Sequence, residues 1–138
     1  FNVTNRLQVY GQGVYGKGIG QFLNDMSMLN VDMAPNPEKN GKMQVLPMMG
    51  WFAGMQYNFS PKVFVTSTYG QSRLYSHDGY PATPSGQYRY GQYLNATLFW
   101  NITSNLQAGA EYLRGWRTDF NGDTRHANRV NLAVQYSF

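Results

Sequence analysis

The chain has 138 residues and a net charge of +4; 13% of its residues are charged, 16% are aromatic and none is cysteine. Soluble domains carry about a quarter charged residues, and a spanning helix needs roughly 18 apolar residues in a row; this chain has neither, which argues against an ordinary soluble domain and a helical membrane protein. Without cysteine there is no disulfide framework, thiolate nucleophile or cysteine metal site, and the dispersed cations form no basic block of the kind that marks nucleic-acid binding.

Few charges, a mean hydropathy of -0.49 and many aromatics suit a membrane β-barrel. There, only alternate residues meet lipid, while amides and hydroxyls fill the lumen. The chain opens FNVTNRLQVY, without an initiator Met or a signal segment, so an export signal is expected upstream.

In residues 5–16, Leu7, Val9 and Tyr15 share one parity and Arg6, Gln8, Tyr10, Gln12 and Val14 the other, which predicts a strand. Residues 17–42 are long and irregular, with Pro35, Pro37 and Asn40-Gly41; residues 22–33 leave room for a short helix or strand. This segment is expected outside the membrane or folded into the lumen, where it would narrow a pore. Residues 45–59 set Met49, Trp51, Ala53, Met55, Tyr57 and Phe59 against Gly50, Gly54, Gln56 and Asn58. A tight turn at 58–62 leads into a strand over 62–72, with Val63, Val65, Ser67 and Tyr69 outward. A polar loop spans 74–87. Residues 88–100 alternate Tyr88, Tyr90, Leu94, Ala96, Leu98 and Trp100 against Arg89, Gly91, Tyr93, Asn95, Thr97 and Phe99. A second tight turn at 101–105 precedes a strand over 106–117, with Leu106, Ala108, Ala110 and Tyr112 opposite in parity to Gln107, Gly109, Glu111 and Arg117. After a loop at 118–126, residues 128–138 close the chain. There Val130, Leu132, Val134, Tyr136 and Phe138 alternate with Arg129, Asn131, Ala133, Gln135 and Ser137.

Connections therefore run long, short, long, short, long, as in bacterial barrels with long outer loops and short periplasmic turns. On that orientation, Tyr57, Phe59, Trp100, Tyr136 and Phe138 fall near the periplasmic ends, and Tyr15, Tyr69, Tyr88, Tyr90 and Tyr112 near the outer ends, giving two aromatic girdles. The predicted membrane-girdle residues are Tyr57, Phe59, Tyr69, Tyr90, Trp100, Tyr112, Tyr136 and Phe138. The predicted pore-lining residues are Arg6, Gln8, Gln12, Gln56, Arg89, Asn95, Glu111, Arg117, Arg129 and Asn131.

Six strands emerge, whereas closed single-chain barrels begin at about eight. Either the chain is the C-terminal part of a larger barrel, or other chains complete it, or residues 18–44 hide two more strands of a small barrel. Open edges in lipid would cost several kcal/mol per unpaired backbone group. The spacing favours the partial barrel.

Three motifs carry a resemblance. Tyr15-Gly-Lys-Gly-Ile-Gly-Gln-Phe22 resembles the YGxGIGRY segment of DcaP-type trimeric porins of Gram-negative bacteria, departing at Gln21. Glu111-Tyr-Leu-Arg-Gly-Trp-Arg117 is similar to their EY(x)xGxR strand end, departing at Trp116, and Ala127-Asn-Arg-Val130 to their closing ANR-(I/V) strand. The resemblance implies a barrel of about sixteen strands, of which this chain would form the final third or so. It further implies an outer-membrane homotrimer that passes small, often anionic, hydrophilic solutes without a cofactor.

The charges predicted to line the lumen are Arg6, Arg89, Glu111, Arg117 and Arg129, an excess of cations that would favour anions. The plainer alternative pairs Arg129 with Glu111 across adjacent strands. Asp119-Phe-Asn-Gly-Asp123 looks superficially like a calcium loop, but lacks the full spacing and the closing Glu. His77 and His126 have no companion ligands, so no metal is expected. No nucleophile–base set points to an enzyme. Asn2, Asn58, Asn95 and Asn101 each start an N-x-[ST] sequon, which an Asn- and Thr-rich chain produces by chance. Two rival readings remain: a small plugged barrel with a structural or adhesive role, and a soluble β-sandwich or lipocalin-like binder. The exposed aromatic face argues against the second.

Overall fold

The computed structural model describes residues 1–84 and 86–138. Six long strands form one antiparallel sheet: β1 (Leu7–Lys17), β4 (Pro47–Asn58), β5 (Val63–Leu74), β6 (Tyr88–Asn101), β7 (Leu106–Asp119) and β8 (Thr124–Tyr136). Two short strands, β2 (Met33–Pro35) and β3 (Met43–Val45), make a separate hairpin between β1 and β4. The sheet order is β1-β4-β5-β6-β7-β8, and the sheet is open, so β1 and β8 are its edge strands.

Register converts the alternation into two faces, because residues directly opposite each other in an antiparallel pair point the same way. One row runs Leu7, Tyr57, Val65, Leu98, Ala110 and Leu132, and the row beside it runs Val9, Met55, Ser67, Ala96, Tyr112 and Val130. A third row holds Val63, Trp100, Ala108 and Val134. These three rows are almost wholly apolar and much of them is exposed, with Leu132 at 80%, while the rows nearer the loop end of the same face also hold Gln71, Gln92, Arg114 and Asn128. The other face carries Gln8, Gln56, Thr66, Thr97, Glu111 and Asn131 in a single row.

Glycines on the polar face make room for large neighbours. A Cβ at Gly54 would meet the Tyr10 ring at 2.5 Å, and one at Gly70 the Tyr93 ring at 2.7 Å. The missing side chain lets a cross-strand aromatic lie flat on the sheet and cover its backbone.

One turn recurs three times at the same end of the sheet. In Asn2-Val-Thr, Asn58-Phe-Ser and Asn101-Ile-Thr, the hydroxyl accepts a backbone N–H three residues on: Leu7 to Thr4 Oγ1 at 3.0 Å, Val63 to Ser60 Oγ at 3.1 Å, and Leu106 to Thr103 Oγ1 at 3.1 Å. The backbone closes each one identically, Val3 N to Leu7 O at 2.9 Å, Phe59 N to Val63 O at 3.0 Å and Ile102 N to Leu106 O at 2.9 Å. Three of the four sequons are thus turn hydroxyls, which take the place of a ladder partner for the first N–H of the next strand. The first of these turns leads back from Phe1 and Asn2. Asn2 bridges to Gln8, and Phe1 O accepts from Val9 N at 2.9 Å, on the side of β1 away from β4.

Two expectations need correction, and the alternative of two more crossing strands in residues 18–44 falls away. Residues 118–126 are not a long loop: β7 continues to Asp119, β8 starts at Thr124, and a hairpin at 120–123 joins them, with Gly122 at a φ of +92°. The alternation of long and short connections therefore ends at the second outer loop. Residues 22–33 form neither a helix nor a strand of useful length; a single 3-10 turn at Gly20–Phe22 is followed by successive turns, and only Met33 begins β2. With three residues each, β2 and β3 fall short of the roughly nine residues of a membrane-crossing strand, so the region 18–44 adds none.

Candidate functional site: a charged concavity on the polar face

Residues 18–46 fold back over the polar face near the loop end of the strands. Leu23, Met26, Ala34 and Leu46 pack there with Met48, Leu74 and Tyr88 in the one buried apolar cluster among the described residues. Gly50 is the docking point, since a Cβ there would collide with the Leu23 side chain. Polar ties hold the fold. Asp32 Oδ1 accepts from Gly20 N at 2.6 Å, and the buried Asn36 accepts from Glu38 N at 2.8 Å while donating to Gln44 Oε1 at 2.9 Å. Gln44 Nε2 reaches the carbonyls of His77 at 3.2 Å and Asp78 at 3.1 Å, which joins this segment to the loop after β5.

Between the folded segment and the sheet lies an open concavity of about 1010 Å³. Asp25 stands on the segment's wall, with Oδ2 accepting from Ser72 Oγ at 2.8 Å; Tyr88 Oη lies 2.6 Å from the same hydroxyl. Across from it, β7 and β8 present Arg117, Arg125 and Arg129. Arg117 is anchored: its Nε donates to the buried Asp119 at 2.8 Å, and its guanidinium lies 5.5 Å from the Tyr88 ring centroid. Arg125 and Arg129 form no ion pair with the described residues and are exposed. One carboxylate on the loop therefore faces two uncommitted guanidiniums on the wall, which sets a transverse field across the gap.

Toward the three recurring turns, the polar face is built of amides. Glu111 accepts from Asn131 Nδ2 at 2.6 Å, Asn95 Nδ2 at 3.0 Å and Thr97 Oγ1 at 3.1 Å. Asn131 stands opposite Glu111, and Leu113 stands opposite Arg129, so the cross-strand pairing of Arg129 with Glu111 does not form. Gln56 donates to Asn58 at 3.0 Å, and Tyr10 Oη lies 2.9 Å from Thr68 Oγ1.

Of the residues expected on the pore side, Gln12, Arg117 and Arg129 border the concavity. Gln8, Gln56, Asn95, Glu111 and Asn131 share its face further along the strands. Arg6 lies in the turn before β1. Arg89 is displaced: a bulge between Tyr88 and Tyr90 turns Tyr88 in toward Ser72 and leaves Arg89 against the outer-face ring of Tyr90. Tyr88 accordingly leaves the outer aromatic level. Tyr57, Tyr69, Tyr90, Trp100, Tyr112 and Tyr136 lie in the outer-face rows, with Phe59 packed on Tyr57 at 5.1 Å and Phe138 on Tyr136 at 6.5 Å between centroids. Trp51, mid-strand on the same face, packs on Tyr69 at 5.5 Å and donates to Gln71.

Local sequence pattern points to neither Asp25 nor Arg125. Asp25 sits in a stretch without periodicity, and Arg125 was hidden by the Asn121-Gly122 turn signal, which made the loop look wider than it is. Asp119-Phe-Asn-Gly-Asp123 is that hairpin: Asp119 binds Arg117, and Asn121 and Asp123 bond to each other at 2.7 Å.

No family model matches the sequence, and no curated protein does. Among solved structures, the crystal structure of the outer membrane channel DcaP of Acinetobacter baumannii superposes with a TM-score of 0.80, at 22% identity, over 100% of this chain and 38% of that one. The sheet has the fold of an outer-membrane channel wall. That neighbour is the porin type whose motifs the sequence resembles, and this chain spans 38% of its length.

Proposed function

We propose that these residues form part of the wall and the constriction of a diffusion channel in the outer membrane of a Gram-negative bacterium. The channel passes small hydrophilic solutes, with anions preferred. The single observation that carries the reading is the division of one six-stranded sheet into an apolar face and a polar face across which a chain segment is folded. Lipid contacts the first face; water and solute contact the second. Residues 17–42 lie in the lumen and narrow it. Gln8, Gln12, Gln56, Asn95, Glu111, Arg117, Arg129 and Asn131 line the passage together with Asp25 and Arg125, and no cofactor or catalytic step is involved. Arg117 is neutralised by Asp119, so the selectivity rests on Arg125 and Arg129, which stand exposed on β8 without an ion-pair partner among the described residues and there lower the barrier for anions.

A lone six-stranded sheet cannot stand in lipid with unpaired edges. The far edge of β1 already pairs with Phe1 and Asn2 through the recurring turn. Both points support further strands beside these six; a barrel of about sixteen strands and a trimer are what the resemblance of the motifs implies. The test is the reversal potential of the full-length protein in a planar bilayer under a potassium chloride gradient. A chloride-favouring potential that moves toward zero in Arg125→Gln/Arg129→Gln is expected. A cation-favouring potential would refute the selectivity, and absence of stepwise current would refute the channel.

A further inference from the structure

The outer face holds an arginine site that the channel reading does not use. At the loop end of β5 and β6, Arg73 stands opposite Tyr90 in the outer-face register, and the bulge swings Arg89 to the same ring. The Arg73 guanidinium carbon lies 5.9 Å from the Tyr90 centroid and 5.1 Å from the Tyr75 centroid; that of Arg89 lies 5.9 Å from Tyr90. With Leu74, Tyr75, Ser76 and Phe120, the two arginines border a hollow of about 270 Å³. Arg73 Nε is buried with no hydrogen-bond partner among the described residues. Among the described residues neither guanidinium is paired with a carboxylate: the three ion pairs formed there involve Lys39, His77 and Arg117.

Two like charges around one ring, one with an N–H that meets no acceptor among the described residues, make a site that an anion would complete. From this we infer that Arg73 and Arg89 bind the phosphate of a phosphorylated glycolipid in the outer leaflet. The inference rests on the proposed orientation of the sheet in the outer membrane. A guanidinium fork matches phosphate oxygens in pairs, and two forks at one hollow can hold one phosphate from both sides. Below Arg73 and Tyr90 comes a row with Trp51, Gln71 and Gln92, and then the row of Ala53, Tyr69 and Leu94, along which acyl chains attached to that headgroup would lie. A second copy of this stretch is the poorer occupant. The acidic residues of the long strands, Glu111 and Asp119, both lie on the polar face, so its outer face offers no carboxylate.

The experiment uses the full-length protein in detergent and measures bound lipid by native mass spectrometry. Bisphosphorylated lipid A is titrated against the same lipid with its phosphates removed, and against inorganic phosphate alone. The phosphorylated lipid is expected to bind at least about tenfold more tightly than the dephosphorylated form, and Arg73→Gln/Arg89→Gln to abolish the difference. Arg73→Lys/Arg89→Lys should retain part of it. Equal affinity for both lipids in the unmodified protein overturns the inference, whether or not the variants assemble. So does a preference that survives the Gln substitutions, or inorganic phosphate occupying the site as tightly as the lipid. Dissociation of the oligomer by the Gln substitutions with lipid binding unchanged would make the site a subunit contact and would also overturn it. A protein that conducts but shows no phosphate preference sinks only this inference; one that binds the phosphorylated lipid but never conducts sinks the channel reading.

Discussion

Leu132→Arg and Asn131→Arg put the same charge at neighbouring positions of β8, one on each face. Leu132 stands opposite Ala110 in the row that continues through Leu98 and Val65 to Tyr57. Tyr136 lies four residues further on, which is about 13 Å along a strand and about 10 Å along the membrane normal at a tilt of about 40°. In an apolar band about 25 Å tall, Leu132 is then close to the midplane, where an arginine costs about 2–4 kcal/mol. Asn131 faces Glu111, with Nδ2 2.6 Å from its carboxylate. An arginine there exchanges an amide hydrogen bond for an ion pair in a wet lumen, which changes stability by no more than about 1 kcal/mol. The assay is denaturant unfolding of the full-length protein in lipid vesicles, with the folded fraction followed by its resistance to detergent. Leu132→Arg should be the less stable by about 2 kcal/mol or more. Equal losses, or a larger loss for Asn131→Arg, would refute the assignment of the two faces.

Three other outcomes follow from the same geometry. Gly50→Val should expel Leu23 from its seat and release residues 18–46, read as a higher single-channel conductance and faster proteolysis in that segment; unchanged values of both would contradict a docked constriction. Thr103→Ala and Ser60→Ala each remove an acceptor from a backbone N–H at the head of a strand, and each should cost about 1 kcal/mol in the same unfolding assay. Tyr136→Asp and Phe138→Asp should lower the yield of assembled protein well below that of Gln135→Asp and Ser137→Asp, because the aromatic pair packs on the lipid side at the turn end of the sheet. Similar yields for all four would count against that placement.

The strands were legible because each obeys a single period over ten or more residues. Tyr57, Leu98 and Leu132 fall on the face that parity assigns them, and the opposing residues share the other face across every pair. Parity fails where the backbone inserts a residue, and nothing in Tyr88-Arg-Tyr90 marks the bulge, so alternation alone puts Arg89 on the pore side, away from Tyr90. The recurring turn was present in the sequence as three copies of Asn, a β-branched or aromatic residue, then Ser or Thr. Read as sequons they carried no structural meaning; their equal distance from the next strand was the signal. The fold of residues 18–46 could not be read this way. Its order comes from contacts distant in sequence, such as Leu23 with Gly50, Asp25 with Ser72 and Gln44 with the carbonyls of His77 and Asp78, and local pattern does not encode them. The charged concavity inherits that limit. Arg117 and Arg129 were visible from alternation, whereas Asp25 acquires its position only once the segment is folded against β5.

These residues lack cysteine, so a single cysteine can be placed at each position from 128 to 136 in turn, with the full-length protein carrying no added cysteine as the background. Labelling the full-length protein in intact membranes with a charged, water-soluble maleimide tests the central claim, that this sheet separates lipid from a water-filled passage. Cysteine at 129, 131, 133 and 135 should label rapidly, and cysteine at 130, 132 and 134 should label only with a lipid-soluble reagent. Uniform labelling of both sets by the charged reagent would mean that water reaches both faces, and the sheet would not be a membrane wall.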